Sequence, residues 1–351
     1  MKSTYIAFAL LVAAVAANPI FQSEDVGEEF VPKPVKEEDW QLVPDSDGYM
    51  HLVDINSVDM EAEPAFNAPT DIIFRLWTRQ NTAAGQIVGL RNQAQLASSN
   101  FVATRQTRFH AHGWNGGGAT TGAAVRSAFI NQIDCNVFVV DWGAGAQTPN
   151  YILARNRVNA AGTVVADYIN WISSQGVPFN NIVAVGHSLG AHVVSAAGKR
   201  TNALIQAVVG LDPAGPLFSL DDPANRIHFT DAQYVESIVT DGGRLGFEHP
   251  VAHGNYYPNW GTSQPGCGID ITGNCGHSLV SNFYAASINN ANHFGATRCS
   301  GLQAIRDRNC PAAGPSGRMG GEPVNNSGPV PSGSVFWLPT TGTHPFAQGP
   351  R

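Results

Sequence analysis

From Pro69 onward, short apolar runs alternate with segments of helical spacing. Residues 71–77, 107–111 and 136–141 predict strands, the last of them strongly apolar. Between residues 157 and 173 the positions Val158, Ala161, Val164, Val165, Tyr168, Ile169 and Ile172 recur at helical steps and predict a helix with one apolar face. Residues 181–185 predict a short buried strand, followed by a glycine-rich turn and a helix from about 191 to 199. Residues 207–211 and 234–239 predict two more strands. Strands that alternate with helices imply the α/β class, with a mostly parallel sheet covered on both faces. The Gly- and Pro-rich tail after Pro311 contains one further apolar run, 334–338, which is expected to close the sheet at its edge. One domain over 66–351 accommodates all of these elements.

The start of the chain follows a different pattern. Met1-Lys2 precedes an apolar run over 5–15 and the small residues Val15-Ala16-Ala17, so 1–17 reads as a signal peptide. That run is too short to span a bilayer, and no later segment is long and apolar enough to do so. A secreted, extracellular protein is the expectation. The five cysteines agree with an oxidising destination: four crowd into the last third, and short spacings favour Cys267–Cys275 and Cys299–Cys310 among the three connectivities available. Cys135 is left over beside the apolar run Val137-Phe138-Val139-Val140 and is expected to be a buried free thiol. No paired Cys-x-x-Cys spacing suggests zinc.

Charge divides the chain. Its net charge of −7 combines thirteen Asp/Glu against two Lys over 18–69 with fourteen acidic and seventeen basic residues over 70–351. Residues 18–65 therefore read as an acidic leader, either a solvated tail or a pro-segment lying across the basic body. Sixteen of those seventeen basic residues are Arg, and Lys199 is the exception. Arg stays charged where Lys begins to lose its proton, so an alkaline setting such as a gut lumen is one reading and lineage bias the other. Asn325-Asn326-Ser327 is a glycosylation sequon in a Gly/Pro-rich loop.

Chemistry enters at Gly186-His187-Ser188-Leu189-Gly190, a Gly-x-Ser-x-Gly turn with a predicted strand before it and a predicted helix after it. That context presents a serine on a strained turn and aims helix N-terminal N–H groups at developing negative charge. A serine hydroxyl needs a base, and the base needs a carboxylate, in the chain order Ser, Asp, His. Asp212 ends the strand 207–211 before Pro213, where it is either the orienting acid or an ordinary turn residue. His277 follows Cys275-Gly276 in what reads as a disulfide-fixed loop, but His187, His192, His228, His249, His253 and His293 compete for the role.

Three segments together, Gly186-His187-Ser188-Leu189-Gly190-Ala191-His192, Leu211-Asp212-Pro213-Ala214-Gly215-Pro216 and Cys275-Gly276-His277-Ser278, resemble the pancreatic-lipase family. His112-Gly113-Trp114 and Val140-Asp141-Trp142 extend the resemblance over about 70–350. It implies an α/β-hydrolase fold with Ser188 as nucleophile, Asp212 as orienting acid and His277 as general base. It also implies that the backbone N–H groups of Trp114 and Leu189 form the oxyanion hole, with His112 and His192 in structural roles.

The chain departs from the family pattern in three places. No lipid-binding β-sandwich is expected after the lipase domain, and with it no colipase-like helper. The Cys267–Cys275 pair encloses only 268–274, far less than the lid of the family's triglyceride lipases, and the segment between Thr240 and Pro258 is also short. Both resemble the phospholipase A1 branch, including its insect and venom members. Of the calcium loop, Arg226 and Asp231 fit, but His228 stands where a carboxylate is usual, so no cofactor is expected and a structural calcium stays open as the alternative.

The resulting expectation is a secreted lipase acting on glycerolipids at an oil–water or membrane interface, favouring phospholipid or galactolipid, with no nucleic-acid partner. A digestive triacylglycerol lipase is the alternative within this class. A non-catalytic yolk or storage protein that binds lipid on the same scaffold is the alternative from another class.

Overall fold

The computed structural model describes residues 40–44, 49–54, 66–324 and 328–351, all within the unit Glu37–Arg351. The signal peptide 1–17, most of the acidic leader and the sequon at Asn325 lie outside the described residues. Two short strands from the leader region, β1 (Trp40–Pro44) and β2 (Met50–Asp54), pair antiparallel as a hairpin. Its Val43 and Val53 are buried against the main body.

The main sheet contains β3 (Ile73–Trp77), β4 (Gln86–Ile87), β5 (Thr107–Ala111), β6 (Asn136–Asp141), β7 (Ile182–His187), β8 (Ala207–Leu211), β9 (Tyr234–Ile238), β10 (Gly254–Pro258), β11 (Gly295–Cys299), β12 (Gly317–Arg318) and β13 (Ser334–Leu338). Their spatial order is β12-β11-β13-β10-β9-β8-β7-β5-β6-β3-β4. Every neighbouring pair from β6 to β13 is parallel, and antiparallel strands flank this run on both sides. The sheet is therefore mostly parallel, and helices cover both of its faces.

The central strands are apolar on both sides because each side meets a core. Phe138 and Val140 of β6 enter one core, while Val137 and Val139 enter the other. The first core is shared with the helices Tyr151–Ser174 and Leu189–Gly198 through Val158, Val165, Ile169, Val193 and Val194. The second is shared with Ala123–Gln132 and Asn274–Ile288 through Val125, Phe129, Val280 and Phe283. The two helices on the first face touch closely: a Cβ on Gly162 would stand 2.4 Å from the Ala196 Cβ.

Two boundaries differ from the sequence expectation for identifiable reasons. The helix expected over 157–173 begins at Tyr151, because the Asn150 side chain accepts the Leu153 N–H at 3.1 Å and caps it there. Strand β13 does not close the edge. It lies inside the sheet, parallel to β10 on one side and antiparallel to β11 on the other.

The expected disulfides Cys267–Cys275 and Cys299–Cys310 are formed, with Cα–Cα separations of 5.7 and 5.0 Å. Cys135 is free and buried, and burial pushes its thiol up to about 12. A buried ion pair ties the centre of the sheet to the C-terminal region. The Arg108 guanidinium of β5 donates to both carboxylate oxygens of Glu322, at 3.0 and 2.7 Å.

Phe109 is fully buried, with its ring centroid 5.3 Å from that of Phe138 and 6.1 Å from that of Tyr168. Phe109→Ala is expected to destabilise the fold by about 3–5 kcal/mol through lost contacts and a cavity. Chemical unfolding of the two proteins measures this directly, and a loss under about 1 kcal/mol would mean that the core collapses into the space.

Candidate active site

The turn at Ser188 joins β7 to the helix Leu189–Gly198. Ser188 adopts φ 55° and ψ −124°, a backbone region that costs a non-glycine residue on the order of 1–3 kcal/mol. Surrounding bonds hold it there: its N–H donates to the Leu211 carbonyl at 3.1 Å, and its own carbonyl accepts from Ala191 at 3.1 Å and Ala214 at 3.3 Å. The flanking glycines are required by close approach. A Cβ at 186 would stand 2.1 Å from the Gly190 carbonyl oxygen, and one at 190 would stand 2.3 Å from that of Ala111. Backbone has no room to yield at such distances.

Asp212 leaves β8 at φ 41° and is fully buried. Its Oδ2 accepts the Nδ1–H of His277 at 2.6 Å, and its Oδ1 accepts backbone N–H groups from Thr240 at 2.8 Å and Asp241 at 3.1 Å. A neutral imidazole that donates through Nδ1 keeps Nε2 as the acceptor, the form a general base requires. His277 is not in a loop. It sits in the first turn of the helix Asn274–Ile288, because the disulfide and Asp270 build a helix start ahead of it. The Asp270 carboxylate accepts the N–H of Gly276 at 2.8 Å, satisfying a donor the helix leaves open and complementing its dipole.

Topology brings the serine and the oxyanion candidates together. The chain runs from β5 outward to β6, then returns to place β7 on the other side of β5. The loops after β5 and β7 therefore open side by side at the carboxyl ends of the strands, the switch point where such sheets bind ligands. A Cβ on Gly113 would stand 2.8 Å from the Ser188 Cβ and 3.3 Å from its Oγ, so the His112-Gly113-Trp114 loop lies against the serine. Leu189 is the first residue of its helix, and its N–H belongs to the helix N-terminus. The Trp114 indole is buried and donates to the Thr148 carbonyl at 2.7 Å, which anchors the loop.

Three histidines beside the site, His112 and the competitors His187 and His192, fall into supporting places. His112 Nδ1 donates to the Gly113 carbonyl at 2.8 Å, and its Nε2 accepts the Trp142 N–H at 3.1 Å. His187 Nε2 donates to the His277 carbonyl at 2.9 Å, with the two rings 4.7 Å apart. His192 Nε2 donates to the Ala214 carbonyl at 2.9 Å. Sequence reasoning missed Asp270, Asp241 and Arg244. Arg244 pairs with Asp241 and also donates to the Asp270 carbonyl at 2.8 Å. Burial, reinforced by the neighbouring Asp212 charge, pushes the Asp241 carboxyl up to about 7 against the pull of Arg244. The acidic residue six positions before Gly276, inside the small disulfide loop, was the one signal available in the sequence.

A strand, a strained serine turn and a buried helix on a mostly parallel sheet, with an Asp–His pair at the next strand ends, define the α/β-hydrolase class. Comparison with known proteins is more specific. The Lipase family model matches residues 50–346, and the chain belongs to that family. Lipase member H of Xenopus tropicalis is 35% identical over 242 residues, covering 67% of this chain and 52% of the relative. Lipase member H of Rattus norvegicus is 31% identical over 246 residues, covering 68% and 53%. Pancreatic triacylglycerol lipase of Ictidomys tridecemlineatus is 31% identical over 269 residues, covering 69% and 57%. The chain thus spans about half the length of the curated relatives it matches.

Burial holds three histidines around the site neutral, pushing His110 down to about 3, His187 to about 4 and His192 to about 3. Depressed folded values mean that their contribution to stability is complete above about pH 6.5 and is lost as the pH falls toward 3–4. Unfolding free energy measured by urea is expected to drop between pH 6.5 and 4.5, by up to about 1.4 kcal/mol per pH unit for each histidine. Stability that holds level over that interval would contradict the neutral assignment.

Proposed function

We propose that the chain is a secreted carboxylic ester hydrolase that releases fatty-acyl chains from glycerolipids, with phospholipid or galactolipid preferred. The observation that carries this reading is the 2.6 Å bond from His277 Nδ1 to Asp212, at the strand ends that also hold Ser188 in its strained turn. Membership of the Lipase family supports it. Export is supported by the two disulfides and by the apolar start of the chain.

In the proposed cycle, His277 Nε2 takes the Ser188 hydroxyl proton as Oγ bonds to the ester carbonyl carbon. The carbonyl electron pair moves to oxygen, where the N–H groups of Trp114 and Leu189 stabilise it. Collapse breaks the ester C–O bond, and the departing alkoxide takes the proton from His277. Water then loses a proton to His277 as it attacks the acyl-enzyme, and the fatty acid leaves as Ser188 regains its proton. Asp212 stays ionised and orients the imidazolium. Losing one oxyanion donor typically costs about 10²–10³ in turnover.

The small disulfide loop favours the phospholipid or galactolipid reading. It bridges a sequence separation of only 8 and exposes Ile269 and Ile271, at 91% and 84%. Beside it runs a groove of about 580 Å³ with Leu217, Phe218, Phe247 and Ile271 on its apolar side and Arg244, Glu248 and His249 on its polar side. Apolar walls there suit an acyl chain, and a loop this small leaves the opening free for a charged or sugar head group. Triacylglycerol hydrolysis is the second reading, favoured by relatives named pancreatic triacylglycerol lipase. The filled Ser188, Asp212 and His277 positions weigh against a protein that only binds lipid.

Ser188→Ala is expected to lower ester hydrolysis by about 10⁴–10⁶-fold while leaving lipid binding intact. Undiminished hydrolysis would eliminate the mechanism. In parallel assays the wild type is expected to cleave phosphatidylcholine or galactolipid dispersions faster than triolein emulsion. Turnover on triolein alone would replace the first reading with the second.

A further inference from the structure

Lys199 is the one lysine among residues 70–351. Its ammonium is directed inward, with the side chain 19% exposed. It lies at the end of the helix Leu189–Gly198 and faces three oxygens. It donates to Asp231 Oδ1, to the Arg226 carbonyl at 2.9 Å and to Ser195 Oγ at 3.2 Å. The Asp231 carboxylate is fully buried, and its other oxygen accepts from Ser195 Oγ at 2.6 Å and from the His228 N–H at 2.8 Å. Contact between helix and loop is close enough that a Cβ on Gly198 would stand 2.2 Å from the Asp231 carbonyl oxygen.

These residues span the segment that the family resemblance would assign to calcium, and the donor set does not suit that ion. Calcium takes six to eight hard oxygen ligands. Here both oxygens of the one buried carboxylate are already engaged, and the Lys199 ammonium also occupies the nearby Arg226 carbonyl. At His228, Nδ1 is taken up by Thr230 Oγ1 at 2.8 Å. Among the described residues, the one cluster with metal-ligating geometry is Cys267, Asp270 and Cys275, whose two sulfurs are bonded to each other.

We propose that the Lys199 ammonium is the built-in cation of this loop, performing through a covalent tether the bracing that a bound divalent ion would otherwise supply. The loop it braces is folded by Arg226, whose guanidinium donates to the carbonyls of Ser219, Leu220 and Ile227 at 2.7–2.9 Å. From there the brace reaches the active site. The Ile227 N–H donates to His192 Nδ1 at 3.2 Å, His192 Nε2 donates to the Ala214 carbonyl at 2.9 Å, and the Ala214 N–H donates to the Ser188 carbonyl at 3.3 Å. Lys199 is thus a positioning residue for the serine turn, and the loop's order does not depend on metal supply. A tethered cation carries no concentration dependence, whereas a bound ion stabilises only in proportion to its saturation.

Thermal unfolding in chelator and in millimolar calcium tests the proposal. The wild-type Tm is expected to be the same in both, a comparison that needs no variant to fold. Lys199→Met strands a buried carboxylate and should lower Tm by roughly 5–10 °C, and adding Asp231→Asn to it should recover part of that loss. The double variant Lys199→Met/His228→Asp, with the tethered cation removed and a carboxylate restored, should gain a calcium-dependent rise in Tm. Three results would overturn the proposal: a calcium-dependent Tm in the wild type that disappears in Asp231→Asn, a Lys199→Met protein as stable as the wild type, or a double variant indifferent to calcium.

Discussion

The arrangement of the site rests on a backbone that cannot relax. Ser188 is held at a positive φ because β7, the following helix and β5 converge with no space for a side chain at 186 or 190. The strain at one residue is small beside the packing that enforces it, since every residue of the helix Leu189–Gly198 is buried. The same convergence presses Gly113 against the serine, so the β5 loop and the helix N-terminus reach one point. Were the turn to open, the serine, the candidate oxyanion donors and the Ala214 backbone beside Asp212 would lose their register together.

Around that turn, hydrogen bonds orient the Asp212 carboxylate and the His277, His187 and His192 rings. Asp212 accepts three hydrogen bonds, two from backbone, which leaves the imidazole one orientation in which to donate. Burial disfavours charge on His187 and His192, so each stays a neutral ring that donates through one nitrogen. Asp241 is the exception, a second buried carboxyl beside the first, offset by Arg244, which also reaches the Asp270 loop. Arg244 therefore connects the disulfide loop to Asp241, beside the Asp212 end of the site.

Much of this was legible in the sequence where a single local pattern sufficed. Strands β6, β8 and β13 are dominated by apolar residues, and they and β5 match their expected bounds. Strand β10, Gly-Asn-Tyr-Tyr-Pro, was not legible, because the buried amide of its Asn255 is satisfied by the Ala252 backbone N–H and carbonyl and by the Ser334 carbonyl of β13. The helix bearing His277 escaped notice because Asn274, Ser278, Ser281 and Asn282 interrupt its apolar spacing. Which of the seven histidines meets Asp212 followed from family resemblance and not from spacing, since the pair is 65 residues apart. Lys199 stood out only as a compositional exception; its partners Arg226 and Asp231 lie 27 and 32 residues away, beyond any local signal.

The interior position of β13 has a consequence for how the chain acquires its structure. Synthesis delivers β10 well before β13, yet β10 pairs with β13 on one side and β9 on the other. Until the later segment arrives, one whole edge of the parallel sheet stays open, with its N–H and C=O groups unpaired. The completed β11–β13–β10 stack and the Arg108–Glu322 tie can form only near the end of translation. A half-made chain thus carries Ser188 and His277 on an unsealed scaffold, vulnerable to edge-to-edge association. Assembly of the candidate site is a late, whole-molecule event, and that edge stays exposed in the interval.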